Sequence, residues 1–220
     1  MTKTVVGAVI ASRRDDGDWR DLDLCVRSLA HYTPSRAVVA WKGPASPPIA
    51  PGMHVLVEQP DHISSFGAAY QFAAGYAIAE GATLLLLCND DVVLCPDSFD
   101  LLVEDYMLAR GFGPVGFVAA RANYARPSQR GWGPMAPAEV VSPFCALVEV
   151  AALPDVWPDC NWYSDDVMCA DMADQGRRHW ISRSYVHHVG ERSTGSDHAE
   201  LDRAGRAWVA EHRPDLAGRF

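Results

Sequence analysis

Two adjacent carboxylates directly follow the most apolar stretch of the chain. Residues 82–88 read ATLLLLC, and Asn89, Asp90 and Asp91 come next. Carboxylates at the end of a buried strand cost free energy unless they are paired. A hard divalent cation, shared with substrate phosphate oxygens, would neutralise them. Asn-Asp-Asp is also common in turns, so the residues alone are consistent with a metal site or a turn.

A second acidic pair, Asp165 and Asp166, follows Ser164 at the start of a predicted helix. Ser and Asp are favoured at helix N-termini, where they accept hydrogen bonds from free backbone N–H groups. A carboxylate beside a metal–phosphate site can instead act as general base on a hydroxyl group. The pattern is therefore consistent with helix capping or with acid–base chemistry.

Two adjacent histidines, His187 and His188, end the last predicted strand and precede the segment VGERS. Neutral imidazole is a common metal ligand, although a single histidine more often has a structural role. Arg192 offers a guanidinium group to phosphate or to solvent. The pair is a further candidate for metal or phosphate binding.

Motifs of several other enzyme classes are missing or misplaced. Residues 111–116 match G-x-G-x-x-G, but a dinucleotide-binding fingerprint follows a strand and opens a helix. Here the glycines follow a predicted helix and precede a predicted strand, and Pro114 lacks a backbone N–H, so we interpret the run as a turn. The sequence contains no GxxxxGK[ST], which excludes a P-loop NTPase, and no GxSxG, which leaves a hydrolase triad unsupported.

The elements that must position these residues alternate between strand and helix over the first 120 residues. Short apolar runs predict strands at 4–11, 37–41, 53–58, 82–88, 115–120, 144–151 and 180–187. Apolar residues at helical spacing predict helices at 19–32, 67–80, 99–108, 164–175 and 196–212. This order indicates an α/β protein with a single mixed, mostly parallel sheet flanked by helices. Ligands bind such sheets beyond the carboxyl ends of the strands, where Asp91 falls.

The chain has 220 residues, of which 49% are hydrophobic and 21% charged, and a formal net charge of −9. This composition excludes disordered and fibrous classes, and the charge gives no overall attraction to nucleic acid or anionic lipid. The six cysteines form no CxxC pair, which favours reduced thiols packed as small hydrophobic groups. Without a signal peptide or a long apolar span, we expect a soluble, cytoplasmic protein with no integral membrane contact.

In their order along residues 4–195, these landmarks resemble those of family 2-type glycosyltransferases of the GT-A fold. The opening strand VVGAVIASRR and the segment GAAYQFAAG precede the apolar strand. The run LCNDDV at 87–92 is similar to the NxD variant of the family's DxD motif. The run YSDD at 163–166 is similar to its acidic base motif, and His188-Val189-Gly190 with Ser193 is similar to its closing His-x-Gly segment.

The resemblance implies a role for each matching residue of the metal and donor site. Asp91 would bind a divalent metal, Mn²⁺ or Mg²⁺, that bridges the donor diphosphate. His188, in preference to His187, would add a metal or diphosphate contact. Asn89 would stand where the family contacts the ribose, and Asp90 would support the turn.

The resemblance also implies a base and a nucleotide pocket. Asp166 would be the general base that deprotonates the acceptor hydroxyl, with Asp165 beside it, and Ser12 and Arg13 would line the nucleotide pocket. The family often has an aspartate at the end of its second strand to hold the nucleobase of the donor. The run VVAWKG at 38–43 has no acid there, so Glu58 or Asp61 is the candidate replacement. Trp41 either stacks on the nucleobase or packs as an aromatic side chain at a strand end.

Two aromatic and basic segments are candidates for acceptor contacts. The irregular segment 121–138 contains Arg126, Arg130 and Trp132, and in this family such a loop often covers the acceptor. It is either a mobile lid or a solvated loop. Trp162, just before the acidic pair, either forms a wall for a sugar or acceptor or packs in the core.

The expected function is that of a metal-dependent, inverting, hexosyltransferase-like enzyme. It would move one sugar from a nucleotide-diphosphate sugar, with a UDP-sugar as the default donor, to a glycan, protein, lipid-linked sugar or modified base. We expect one domain over 1–220: a nucleotide-sugar half at 1–120, an acceptor and catalytic half at 121–195, and a C-terminal helix at 196–220. The alternatives are a retaining glycosyltransferase, a sugar nucleotidyltransferase, or a non-catalytic GT-A-like binding module.

Overall fold

The computed structural model describes residues 4–10, 18–34, 36–49, 54–189 and 198–219. Within these ranges the chain forms nine strands and five α-helices. The strands are β1 Val5–Ile10, β2 Ala37–Trp41, β3 His54–Glu58, β4 Leu84–Asn89, β5 Val92–Leu94, β6 Val115–Ala122, β7 Ala136–Ala138, β8 Cys145–Glu149 and β9 Arg178–His188. The helices are α1 Arg20–Tyr32, α2 Phe66–Ala79, α3 Ser98–Arg110, α4 Ser164–Asp174 and α5 His198–His212.

All nine strands belong to one sheet, in the order β3-β2-β1-β4-β8-β6-β9-β5, and β7 pairs with β9. The pairings of β1 with β2 and β4, of β2 with β3, and of β6 with β9 are parallel. The antiparallel pairings involve β8, β5 or β7, so six strands run one way and three the other. The predicted mixed, mostly parallel sheet is confirmed.

The sheet is covered by helices on both faces, as its apolar strands require. The leucines of β4 alternate between two cores: Leu86 packs with Leu22 and Leu102 of α1 and α3. On the other face, Leu85 packs with Ala73 of α2 and Met172 of α4. Helix α5 lies outside α4, where Val209 packs on Val167. The buried β4 carries its polar end, Asn89, to the edge where the site forms.

Two short strands were not predicted from the sequence. The strand β5 follows Asp91 at once and pairs with β9, with Val92 opposite His188. The strand β7 lies inside the segment predicted as irregular and contains Pro137. Three-residue strands are too short to show a period of two, and proline argues against a strand. Residues 111–114 connect α3 to β6, so the interpretation of the glycine run as a turn is confirmed.

The cysteines agree with a further expectation. All six cysteines are free thiols, and all except Cys95 are buried. Among the helices that the structure describes, none has both the length and the apolar character needed to cross a bilayer.

Candidate active site

Both acidic clusters and one histidine of the predicted pair, His188, open onto the same cavity, of about 600 Å³. Asn89, Asp91 and His188 line one part of it, and Asp165 and Asp166 line another. Asn89 and His188 are the last residues of β4 and β9. The cavity therefore lies at the carboxyl ends of two strands that run in the same direction.

The pairing of β5 with β9 brings Asp91 to His188. The Nε2 atom of His188 lies 3.1 Å from Asp91 Oδ1, and the Nδ1 atom lies 2.7 Å from the carbonyl oxygen of Tyr124. Burial alone lowers the pKa of His188, but the hydrogen bond and the charge of Asp91 outweigh it and raise that pKa above the ordinary value. His187, at the neighbouring position, is exposed and does not line the cavity, whereas His188 does.

The backbone and ring of His188 are also fixed. Its N–H donates to Asn123 Oδ1 (2.8 Å), and its carbonyl accepts from Asn123 Nδ2 (2.9 Å). Its ring stacks on Phe144 with centroids 4.9 Å apart and an interplanar angle of 18°. The imidazole is thus held in one orientation toward Asp91.

Asp91 and His188 offer one carboxylate and one imidazole to a cation. Among the described residues, no group of three or more His, Cys, Asp or Glu side chains could hold a metal. Mg²⁺ and similar ions are often bound by one or two protein ligands and completed by water and substrate phosphate oxygens. Neighbouring ligands about 2.1 Å from an octahedral ion stand about 3.0 Å apart, close to the observed 3.1 Å. Asp91 and His188 would therefore fit a divalent cation, whose remaining ligands would come from substrate phosphate and water.

Asn89 and Asp90 have different surroundings. The hydroxyl of the buried Tyr70 donates to Asn89 Oδ1 at 2.7 Å, so the Asn89 amide presents its NH₂ group, a donor, to the cavity. Burial raises the pKa of Tyr70, which keeps that hydroxyl protonated. Asp90 is 2% exposed and lies in the turn between β4 and β5, away from the cavity lining.

The acidic pair does not act as a helix cap. The residue before α4 is Tyr163, in the left-handed conformation with φ of 68°, and no side chain caps the helix. The Ser164 hydroxyl donates instead to the carbonyl of Asn161 (3.4 Å). A left-handed tyrosine is strained, and such strain often occurs at functional sites. The capping interpretation is corrected: Asp165 and Asp166 turn toward an arginine.

Arg126, on the segment after β6, bridges the two carboxylates. Its Nη2 atom lies 2.9 Å from Asp165 Oδ2 and 3.3 Å from Asp166 Oδ2, and its Nη1 atom lies 3.5 Å from Asp166 Oδ1. Its Nε donates to Ser142 Oγ (2.9 Å), and that hydroxyl lies 2.8 Å from Asp165 Oδ2. Arg126, Ser142 and both carboxylates therefore form one network at the cavity wall.

Asp166 is a carboxylate with an elevated pKa. Burial and the adjacent charge of Asp165 raise the pKa of Asp166 to about 6, against the opposing effect of Arg126. A carboxylate with a pKa near neutrality can take and release a proton at working pH. This electrostatic property suits a general base better than a permanently ionised surface carboxylate.

Aromatic and basic side chains complete the cavity wall. Phe66, Trp162 and Tyr163 line it together with Arg130, whose Nη2 donates to the carbonyl of Ala125 (3.2 Å). Trp132 lies outside the lining. Its ring is 72% exposed and stacks on Tyr185 at 4.1 Å.

The structure does not place every predicted site residue in the cavity lining. Ser12, Arg13 and the segment 190–193 are outside the described residues. Glu58 and Asp61 are exposed at and after the end of β3, and neither lines the cavity. Trp41 packs edge to face on the buried Trp19 at 6.3 Å, so the packing interpretation of Trp41 holds.

Sequence reasoning missed Tyr70, Tyr124 and Ser142, and it named Arg126 only as part of a loop. Tyr70 carries a weak signal, since it is a large polar group within a helix of small residues, GAAYQFAAG. Arg126 and Ser142 meet Asp165 across 39 and 23 residues. No local pattern reports such contacts.

Comparison with solved structures identifies the fold. The GalNAc-T7 crystal structure with UDP, GalNAc and Mn²⁺ superposes with a TM-score of 0.67 at 11% identity, over 86% of this chain and 44% of that one. The structure of S. aureus TarS 1–349 superposes with a TM-score of 0.56 at 12% identity, over 94% and 65%. These likenesses show that the chain has the GT-A fold.

The comparisons by sequence add no relative. No protein-family profile matches the chain, and no similar sequence was found among curated proteins. The chain spans less than two thirds of the length of each of these two structures.

Proposed function

We propose that the protein is a metal-dependent, inverting glycosyltransferase that moves one sugar from a nucleoside-diphosphate sugar to an acceptor hydroxyl. One observation carries the proposal. The Asp91–His188 pair and the Asp165–Asp166 pair face the same cavity at the carboxyl edge of a GT-A sheet. A cation site and a base site across one cavity are what the transfer of a sugar from a diphosphate to a hydroxyl requires.

The donor side of the proposal rests on Asp91, His188 and Asn89. A divalent cation, Mn²⁺ or Mg²⁺, held by Asp91 and His188 would offset the negative charge that develops on the leaving diphosphate. The amide NH₂ of Asn89 supplies a donor for a ribose or phosphate oxygen. The GalNAc-T7 crystal contains UDP and Mn²⁺, which makes a UDP-sugar the first donor to test.

The acceptor side of the proposal rests on Asp166. The acceptor oxygen attacks the anomeric carbon and forms the new C–O bond, while its proton passes to Asp166. The bond from the anomeric carbon to the diphosphate breaks, and its electron pair leaves with the phosphate oxygen. Attack from the side opposite the leaving group inverts the anomeric centre.

The aromatic wall and Arg130 are proposed as acceptor contacts. Trp162 lies between Tyr163 and His198, with ring centroids at 6.3 and 5.7 Å, and it lines the cavity. An aromatic face suits the apolar side of a sugar ring, and Arg130 suits a polar or anionic group. The proposed acceptors are a glycan, a protein, a lipid-linked sugar or a modified base.

Calorimetric titration with nucleoside diphosphates, with and without Mn²⁺, tests the donor site. We expect one nucleotide, UDP first, to bind in the presence of Mn²⁺ and to lose at least ~10-fold in affinity with EDTA. Asp91→Ala should show the same loss with Mn²⁺ present. The matched control is Asp100→Ala, an exposed aspartate in the first turn of α3, which should bind as the wild type does.

Two results would count against the proposal. Equal binding with EDTA and Mn²⁺ would remove the metal from the donor site. No binding of any nucleoside diphosphate would favour a non-catalytic GT-A-like module, because the fold would then lack its donor.

A further inference from the structure

The two carboxylates of the acidic pair are held very differently. Asp165 Oδ2 accepts from the Ser142 hydroxyl at 2.8 Å and from Arg126 Nη2 at 2.9 Å, and Asp165 Oδ1 accepts from the backbone N–H of Asp166 at 3.1 Å. Asp166 is contacted by Arg126 at 3.3 and 3.5 Å. The shorter and more numerous hydrogen bonds go to Asp165, so its carboxylate is held more firmly than that of Asp166.

The segment that carries Arg126 is itself anchored. The side chain of the fully buried Gln129 donates to the carbonyls of Ala120 (3.0 Å) and Ser142 (3.1 Å) and accepts from the Ser142 N–H (2.7 Å). The Arg126 side chain is about a quarter exposed (27%). Its guanidinium is therefore held at the carboxylates by a fixed backbone.

The single guanidinium of Arg126 contacts two adjacent carboxylates, those of Asp165 and Asp166. Its one positive charge cannot balance two negative charges when both carboxylates are ionised. The side chains of Asp165 and Asp166 are 18% and 17% exposed. Two like charges on neighbouring residues disfavour double ionisation. Arg126 therefore stabilises the ionised form of the two carboxylates unequally.

We propose that Arg126 is a positioning residue: with Ser142 it ties Asp165 down as a structural partner, and it leaves Asp166 as the member of the pair that accepts a proton. This inference rests on the proposed function where it makes Asp166 the base for the acceptor hydroxyl. Its electrostatic part, that Arg126 controls the protonation of Asp166, stands on the contacts alone.

Other charged and titratable groups around Asp166 also influence its protonation. On α4 and the segment before it, these are Asp165, Cys160, Tyr163 and Cys169. Across the cavity, the charged or titratable lining groups are Asp91, Tyr124, Arg126, Arg130, His188 and His198. Arg126 is the cation in contact with Asp166, so its removal should have the largest effect.

Titration of the aspartate carboxyl carbons by ¹³C NMR, on the full chain without added metal or nucleotide, tests the electrostatic part. In Arg126→Gln the midpoint of Asp166 should rise by about 1 pH unit or more, because an opposite charge at this distance lowers a carboxyl pKa by about that amount. Arg126→Lys should give an intermediate midpoint, since a lysine cannot bridge both carboxylates. Signals are assigned with Asp165→Asn and Asp166→Asn.

Arg213→Gln is the matched control. Arg213 pairs with Asp171 and Asp174 of the same helix α4, outside the cavity lining. The Arg213→Gln substitution should leave the titration midpoint of Asp166 unchanged. If Arg126→Gln does not fold, as judged by circular dichroism, Arg126→Lys carries the test.

An Asp166 midpoint that is unchanged or lower without Arg126 would overturn the proposal. A second assay separates this result from failure of the proposed function: UDP release from a UDP-sugar with Mn²⁺, followed against pH. We expect its acidic limb to move upward in Arg126→Gln by the same amount as the NMR midpoint. A raised NMR midpoint in a protein that turns over no nucleotide sugar would support the control of Asp166 by Arg126 and reject its use as a base.

Discussion

Asp166 carries a charge that the folded protein disfavours. Its pKa of about 6 lies above the ordinary 3.8, because burial and the neighbouring Asp165 both oppose ionisation. A carboxyl group with a raised pKa in the folded state stabilises the protein below the pKa of the unfolded chain and loses that contribution as pH rises through the folded value. The folded protein thus gives up stability at neutral pH to keep this group ionised.

Asp166→Asn should therefore raise the free energy of unfolding at pH 7.5, on the order of 2 kcal/mol, because the amide carries no charge to bury and Arg126 keeps Asp165 as its partner. The difference from wild type should shrink as pH falls through about 6 toward 4. Urea unfolding at pH 4.5 and 7.5 measures both values. The same variant should lose UDP release from a UDP-sugar.

Asp174→Asn is the control for this comparison. Asp174 lies on the same helix with its side chain 72% exposed, and the substitution should change stability by less than about 0.5 kcal/mol at either pH. An Asp166→Asn variant that is less stable than wild type at pH 7.5 would show that the ionised carboxylate is favourable where it lies.

For individual residues, the sequence identifies candidate site residues but does not predict which side chains they contact. Asp91, Asp166 and His188 stand out because charged or metal-binding types follow apolar strands or open a helix. Tyr124, which contacts His188, and Arg126, which contacts Asp166, do not stand out, because each contact depends on how distant segments pack. The capping interpretation of Ser164 was wrong for a related reason: the left-handed Tyr163 changes the start of the helix, and no propensity predicts that conformation for tyrosine.

Among the elements, the segment before α4 is held in place by the start of α2. The Ser65 hydroxyl lies 2.5 Å from Asp159 Oδ1, and the N–H of Phe66 donates to Asn161 Oδ1 at 2.9 Å. A Cβ on Gly67 would lie 1.9 Å from the carbonyl oxygen of Pro158. Close approach of these two backbones thus fixes the segment that leads to Trp162 and the acidic pair.

Gly67→Ala should destabilise the protein by about 1–3 kcal/mol, since the methyl group forces the segment around Pro158 away from α2. Gly75→Ala on the same helix is the control, because nothing lies within 4 Å of its added Cβ. That variant should be stabilised by up to about 1 kcal/mol through helix propensity. Urea unfolding of both variants gives the comparison, and equal effects would mean that the contact of Gly67 with Pro158 is unimportant.

The elements themselves follow from the sequence wherever they are long. The predicted strand at 37–41 coincides with β2. The first and last residues of the helices lie within two residues of the predicted ones. The strand β5 could not be predicted, because three residues after a polar turn show no period. That strand pairs Val92 with His188, so the missing element is the one that brings Asp91 to His188.

For the whole molecule, the sheet order matters more than the division of the chain at residue 120. The strand β8 comes from the second half, yet it lies between β4 and β6 of the first half. Its Ala146 and Leu147 pair with both neighbours. The strand β9 likewise pairs with β5 and β6. The nucleotide-sugar and acceptor halves expected from the sequence are thus interleaved in one sheet.

Interleaved strands should make unfolding a single cooperative event. Removing β8 would expose the edges of β4 and β6, including Leu85, Leu87 and Phe117, all of which are fully buried. Differential scanning calorimetry should therefore show one transition whose calorimetric and van't Hoff enthalpies agree, at about 150 kcal/mol for 220 residues near 60 °C. Residues 1–120 alone should fail to give a cooperative transition, because β4 would then have a hydrophobic edge without a partner. Two separate transitions in the full chain, or cooperative unfolding of the fragment, would instead show that the first half forms its own core.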